Sequence, residues 1–269
     1  MSRPQLKTAH TLSAVVVVLT LVASAGGLLI DGLYRGNALV VAGWFGNDLV
    51  TSFVAVPVLA VSLIQSIRGS QRARLVLLGM LAYTLYNFAY YLFGTAFNSF
   101  FLLYVILFDL SIFALLFALV GLDVPEFGQR FLQAGPARWI AGYMGLVALG
   151  LTVVYGAQSL NFVATGQVPE IVTLTGHVTN VVFALDLSMV VPWFALSAIW
   201  LWQRRPLGYV LATILNVKGA VYMLALSAVT VSAVQAGASD DLSQLGVWGF
   251  IGLGSLVASV VLLANVESE

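Results

Sequence analysis

Three ionisable side chains, Asp109, Asp186 and Lys218, lie within long apolar segments of this chain. Inserting one such group at the centre of a membrane helix costs about 2.5–3.5 kcal/mol, so these groups usually pair or take part in binding. A buried lysine can hold an anionic group or give up its proton to a carboxylate. We therefore predict a ligand- or ion-binding site near the membrane midplane. A structural ion pair that fixes helix packing is the competing interpretation.

The order of the segments predicts which charges pair. A very short turn joins the segment of Asp186 to that of Lys218, so these two helices should be antiparallel neighbours. Lys218 with Asp186 is therefore the first predicted pair, and Lys218 with Asp109 is the second.

Polar and aromatic side chains recur at helical spacing near these charges. Tyr83, Asn87 and Tyr90 share one face of the third apolar segment, and Tyr222 lies one turn after Lys218 on the seventh. Tyr and Asn need hydrogen-bond partners in lipid, so these faces should look into the bundle. A hydrogen-bonded seam between helices would explain the same pattern. The predicted binding residues are Lys218, Asp186, Asp109, Tyr83, Asn87, Tyr90, Tyr222 and Asn216.

The composition defines the elements that must position these residues. Of 269 residues, 61% are hydrophobic and 8% are charged, whereas a soluble domain carries about 25% charged residues. A soluble domain, a disordered chain and a coiled coil are thereby excluded. About 20 apolar residues cross the hydrocarbon layer, which predicts an all-α polytopic integral membrane protein with eight transmembrane helices. The segments are 12–31, 48–67, 73–95, 99–121, 138–157, 180–202, 207–232 and 246–265.

The basic residues predict the orientation. With the N-terminus in the cytoplasm, nine of the eleven Lys and Arg residues fall on the cytoplasmic side and only Arg35 falls outside. Both termini are then cytoplasmic in a cell (inner) membrane, and the outer loops, which include Asp48, are acidic. The residues 23–25 resemble a signal-peptide cleavage site. The apolar run continues to Ile30, however, which favours a retained first helix.

Two stretches of the sequence suggest an internal repeat. In the first stretch, a helix containing Pro57 is followed by a basic turn and by a helix that carries the motif Thr84-x-x-Asn87. In the second, a helix containing Pro192 is followed by a basic turn and by a helix that carries Thr213-x-x-Asn216. Four spans return the chain to its starting side, so the copies would be parallel, in a 4+4 arrangement. Chance similarity between Leu- and Ala-rich helices is the alternative. The prediction is one membrane domain, 1–269, with halves 1–121 and 138–265 and a cytoplasmic connector 122–137.

Several kinds of chemistry are disfavoured by the residues that the sequence lacks. Cysteine is absent and there are two histidines, so disulfides, thiolate sites and a histidine metal cluster are excluded. No phosphate-binding loop, zinc-protease motif or hydrolase motif is present, and no basic run suggests nucleic acid. We predict no catalytic or metal-binding residues and name no cofactor. An intramembrane enzyme that uses Asp109 or Asp186 stays open.

The predicted function is a small-solute or proton-coupled secondary transporter, or a related solute-binding membrane protein. Eight spans are few for a solitary transporter, which favours a homodimer. The alternative is a non-transporting sensor or accessory subunit that binds a lipid, quinone or chromophore. A lesser alternative is a retinal-binding protein, since a mid-membrane lysine in a seventh span resembles that of microbial rhodopsins. Most of those carry a carboxylate four residues before the lysine, where this chain has Ile214.

Overall fold

The computed structural model describes residues 3–125, 131 and 136–266. Within these residues, eight helices are long and apolar enough to cross a membrane. The predicted all-helical, multi-pass architecture with eight spanning segments is thereby confirmed. The helices are α1 Arg3–Leu29, α2 Ala38–Ile67, α3 Gln71–Gly94, α4 Phe101–Val120, α5 Ala137–Thr165, α6 Val181–Trp202, α7 Pro206–Gln235 and α8 Gln244–Ala264.

Helix α2 begins about ten residues earlier than the sequence suggests. The side chain of Asn37 caps it by accepting a hydrogen bond from the backbone N–H of Val40. Asp48 therefore lies inside the helix with 1% of its surface exposed, rather than in an outer loop. The polar residues Asn47 and Asp48 interrupt the apolar run without ending the helix, because other side chains satisfy them.

Helices α2 and α6 share a local irregularity. Each contains a five-residue π-helical turn, Thr51–Ala55 in α2 and Asp186–Val190 in α6. Each turn ends two residues before a proline, Pro57 or Pro192. Proline lacks an N–H and its ring crowds the carbonyl four residues earlier, so a wider turn keeps the neighbouring backbone groups bonded. Asp186 consequently stands at the first position of such a turn.

The eight helices pack as two groups of four. In the first group, α1 packs on α2 and α4, and α3 packs on α2 and α4, so the ring is closed. In the second group, α6 packs on α5 and α7, and α8 packs on α7. Helix α7 also packs on α2 and α3 and thereby joins the groups. At Gly79 a Cβ would lie 2.5 Å from the Cβ of Val217, so this glycine lets α3 and α7 approach closely.

The second group is nearly open between α5 and α8. Within the described residues these helices meet around Tyr143, whose hydroxyl donates to the carbonyl of Ile251 at 2.6 Å and lies 2.9 Å from Ser255 Oγ. The ring of Tyr143 lies against Gly254. Seven residues along α5 from Tyr143, a Cβ at Gly150 would find no atom within 4 Å. The two helices therefore separate beyond the Tyr143 contact.

The connector 122–137 lies largely outside the described residues. Phe131 is described, and its ring lies 5.0 Å from that of Tyr209 near the start of α7. The short helix Glu170–Thr175 occupies part of the predicted outer loop 158–179. The carbonyl of its Leu174 accepts a hydrogen bond from Asn37 at 2.7 Å, which ties the loop to the start of α2.

Candidate functional site

Lys218 lies in α7 with 5% of its surface exposed. Its Nζ is 3.7 Å from the ring centroid of Tyr86 and 4.4 Å from that of Tyr222. A cation over an aromatic face is attracted by the ring quadrupole, more strongly where water is excluded. Among the described residues no carboxylate lies within ion-pairing distance of Nζ. Asp186 still acts on the ammonium through Coulombic attraction.

Asp186 accepts a hydrogen bond on each carboxylate oxygen. The Tyr86 hydroxyl donates to Oδ1 at 2.7 Å, and the Tyr155 hydroxyl donates to Oδ2 at 3.0 Å. The hydroxyls of Tyr86 and Tyr222 lie 3.2 Å apart. We call Lys218, Asp186, Tyr86, Tyr155 and Tyr222 the lysine cluster. It brings together α3, α5, α6 and α7, with Tyr86 between the two charges.

A cleft adjoins the lysine cluster inside the second group of helices. It encloses about 400 Å³ of space not filled by atoms, part of it open to the outside. Lys218 and Asp186 lie on its wall, and the rest of the wall is largely apolar, including Phe194 from α6 and Trp248 from α8. Ligand sites are typically concave, mostly apolar and supplied with a few polar groups. The cleft has this character.

Three predicted residues of α3 contact α2. The Tyr83 hydroxyl lies 2.9 Å from Thr51 Oγ1. The Oδ1 of Asn87 accepts from Asn47 at 2.9 Å, and the Tyr90 ring lies 4.5 Å from that of Trp44. Helix α3 is buried on several sides, so its polar residues divide between neighbours. Tyr86, on the strip beside the predicted face, is the residue of α3 that reaches Lys218.

Two more predicted residues are also placed elsewhere. Asn216 is buried and donates to Met144 Sδ at 3.3 Å and to the carbonyl of Ala212 at 2.8 Å. Asp109 is exposed on the outer face of α4, so the structure does not bring it to Lys218. The structure thus gathers Lys218, Asp186 and Tyr222 of the predicted set.

A second buried carboxylate lies inside the first group. Asp48 accepts hydroxyls from Tyr34 at 2.5 Å and from Tyr91 at 2.7 Å, one on each oxygen. Asn47 donates to the Tyr91 hydroxyl at 2.9 Å. Burial, followed by the nearby Asp48 carboxylate, raises the pKa of Tyr34 well above its ordinary value, so this hydroxyl keeps its proton and donates. We call Asp48, Tyr34, Tyr91 and Asn47 the aspartate cluster.

Sequence reasoning missed two residues of these clusters, namely Tyr155, which donates to Asp186, and the buried carboxylate Asp48. Tyr155 stands alone near the end of α5, and nothing in its spacing indicates Asp186. Asp48 follows the apolar run 38–45, and this run was the available signal that the helix had already begun. Within the described residues, no group of His, Asp or Glu side chains is arranged to hold a metal ion.

Function is inferred from the chemistry of these clusters and of the cleft. Comparisons of the chain with protein-family models, with curated proteins and with solved structures found no match.

Proposed function

We propose that this chain is a solute-binding membrane protein of the secondary-transporter type, and that its ligand binds at the lysine cluster. The observation that carries the proposal is a buried lysine, on the wall of a cleft, without a directly bonded carboxylate. A structural ion pair would place the ammonium on the carboxylate. Here the oxygens of Asp186 accept hydroxyls from Tyr86 and Tyr155, and the ammonium of Lys218 lies over the Tyr86 and Tyr222 rings. Since Lys218 makes no hydrogen bond to the described residues, its N–H groups are free to donate to a ligand.

Transport is supported by the two irregular helices. The π-turns of α2 and α6 stand at the same distance from Pro57 and Pro192, and Asp186 begins one of them. Interrupted helices at corresponding positions of two halves are common near transporter binding sites, and π-turns often accompany functional sites. A parallel 4+4 repeat, with the N- and C-termini in the cytoplasm, accounts for this correspondence. Proton coupling would then use exchange between Lys218 and Asp186.

The first experiment compares small molecules retained by purified protein in native mass spectrometry. We expect wild type to retain a specific molecule that Lys218→Met loses, since the variant removes the ammonium while Asp186 keeps both tyrosine donors. Lys7→Met removes an exposed lysine and is the matched control, which should retain the molecule. The double variant Lys218→Met/Asp186→Asn keeps the cluster neutral, in case the single variant fails to fold. Retention of the same molecule by both Lys218 variants would contradict the proposal.

A second candidate is the non-transporting sensor or accessory subunit. The gap between α5 and α8 favours it, because side chains beside the gap, such as Val154 and Val247, are apolar and exposed and suit contact with lipid. The chain contains no cysteine, so a single cysteine at Leu226, on the cleft wall, reports access directly. In a transporter, membrane-impermeant thiol reagents added on either side should label it. In a sensor, only membrane-permeant reagents should do so.

Retinal binding through Lys218 remains a lesser candidate, since Nζ lies beside the cleft. An aldehyde would form a Schiff base with this lysine, and borohydride would trap it as a stable mass increase. Absence of that increase after incubation with retinal removes this candidate. The intact-complex mass in the same spectrometer measures whether the predicted homodimer forms.

A further inference from the structure

We infer that the lysine cluster takes a neutral, membrane-soluble molecule whose head group only accepts hydrogen bonds, such as the carbonyls of a quinone, and that this molecule enters between α5 and α8. The inference rests on the proposed function, namely that the cluster binds a ligand. It names the chemical class of that ligand and its route.

The polar groups on the cleft wall that lack a hydrogen-bond partner are donors. Among the described residues, Lys218 makes ring contacts but no hydrogen bond, and the buried Nε1 of Trp248 has no hydrogen-bond partner. Both residues line the cleft. Asp186 does not lack a partner, because each of its oxygens receives one tyrosine hydroxyl. A buried donor without a partner destabilises the protein, so a head group that accepts hydrogen bonds from both residues removes this penalty.

Charge decides between a neutral head group and an anion. Lys218 and Asp186 carry opposite formal charges within one cluster, which is therefore neutral before any ligand arrives. A carboxylate ligand would add an uncompensated negative charge to a largely apolar cleft, and such charges are costly to desolvate. A quinone carbonyl accepts a hydrogen bond without changing the charge. The sequence predicts Asp186 as the partner of Lys218 but leaves an anionic ligand open, because it does not show how the cleft is lined.

The route follows from the separation of α5 and α8. Gly150 and Val154 continue the face of α5 on which Tyr143 lies, seven and eleven residues along, and Val247 lies seven residues before Gly254 on α8. Val154 is 52% exposed and Val247 is 53% exposed. Both would be covered if the helices stayed in contact. The gap gives the bilayer lateral access to the cleft on whose wall Lys218 and Asp186 lie.

The test measures binding of tritiated decylubiquinone to the full chain in phosphatidylcholine nanodiscs. We expect saturable binding at one molecule per chain. Lys218→Met should raise the Kd at least tenfold, and Trp248→Phe, which removes the N–H but keeps an aromatic ring, should raise it about tenfold. Trp139→Phe alters an exposed tryptophan on α5 and should leave the Kd unchanged. Val247→Trp should slow association at least fivefold, whereas Leu102→Trp, on the exposed face of α4, should not.

Three outcomes would overturn the inference. Equal quinone affinity of wild type and Trp248→Phe would remove the donor argument, and equal association rates with Val247→Trp would remove the lateral route. Binding of palmitate but not decylubiquinone, lost in Lys218→Met, would show an anion site and leave the proposed function standing. If wild type and Lys218→Met retain no molecule differently in either experiment, the proposed function fails as well.

Discussion

The aspartate cluster and the lysine cluster contain the same unit in different surroundings. In each, a buried aspartate accepts one tyrosine hydroxyl on each oxygen, from Tyr34 and Tyr91 for Asp48 and from Tyr86 and Tyr155 for Asp186. Asp48 has only hydrogen-bonding neighbours, whereas Asp186 shares its cluster with Lys218. The tyrosine pair therefore serves as a general way to hold a carboxylate in this protein. The lysine is what distinguishes the second cluster.

The helices that surround the two aspartates also pack differently. The first group closes around Asp48, and the Trp44 and Tyr91 rings fill the space beside it, with their centroids 4.7 Å apart. The second group leaves a cleft beside Asp186 and a gap between α5 and α8. A carboxylate that only braces helices is packed on every side. The carboxylate beside an open cleft and a buried cation is the one at which we propose that a ligand binds.

Replacing each aspartate by asparagine tests whether charge separates the two clusters. Asp186→Asn leaves the Lys218 ammonium buried without a counter-charge and should lower the free energy of unfolding by about 3–5 kcal/mol. Asp48→Asn removes a charge that has no partner and should cost about 1 kcal/mol, since the side chain still offers an acceptor. Denaturant unfolding in detergent micelles measures both. Adding Lys218→Met to Asp186→Asn should recover most of the loss, and equal costs for the two asparagines would break the comparison.

A pair of glycines tests closed against open packing. A Cβ at Gly27 of α1 would collide with the Asp48 carboxylate and the Tyr34 hydroxyl, whereas one at Gly150 of α5 would meet nothing. Gly27→Ala should therefore cost about 1–3 kcal/mol of stability. Gly150→Ala should be neutral or stabilise by up to about 1 kcal/mol, because alanine favours a helix. The melting temperatures of the two variants report this difference, which would vanish if α5 and α8 closed in the membrane.

Single hydroxyl deletions give the smallest and most selective effect. Tyr34→Phe and Tyr155→Phe each remove one donor from a buried carboxylate and should cost about 0.5–1.5 kcal/mol of stability. Only Tyr155→Phe should also weaken retention of the ligand, because Tyr155 lines the cleft. Thermal unfolding and native mass spectrometry on the same samples separate these effects. Loss of ligand from Tyr34→Phe would mean that the two clusters act as one site.

The number of helices followed from the sequence because segment length and apolar content decide membrane insertion. The predicted helix boundaries were wrong where polar residues lie inside a helix. The start of α2 was placed about ten residues late, since Asn47 and Asp48 resemble a loop until Tyr91 and Asn87 are known to pair with them. Periodicity reports which residues of a helix share a face. It does not report which neighbour that face meets.

For the same reason, only part of the candidate site could be predicted from the sequence. Lys218, Asp186 and Tyr222 lie on consecutive helices joined by a short turn, so local arguments bring them together. The hydrogen bond from Tyr86 to Asp186 spans 100 positions in sequence, and the position of Tyr155 depends on how α5 packs against α6. Asp109 shows the converse, because a charge in an apolar segment can face outward as well as inward. Long-range packing decides these cases.

The helices α2, α3, α6 and α7 are synthesised in this order, and this order decides which polar partners are already present when each helix is inserted. Helix α3 is the least apolar of the eight spans and the most buried, and three of its polar side chains, Tyr83, Asn87 and Tyr91, hydrogen-bond to α2, which is synthesised just before it. Tyr86, in contrast, hydrogen-bonds to Asp186 on α6, which is synthesised much later. By the time Lys218 emerges, its counter-charge and the Tyr86 ring are already in the membrane. Lys218 therefore enters the membrane after the members of the lysine cluster that lie on other helices.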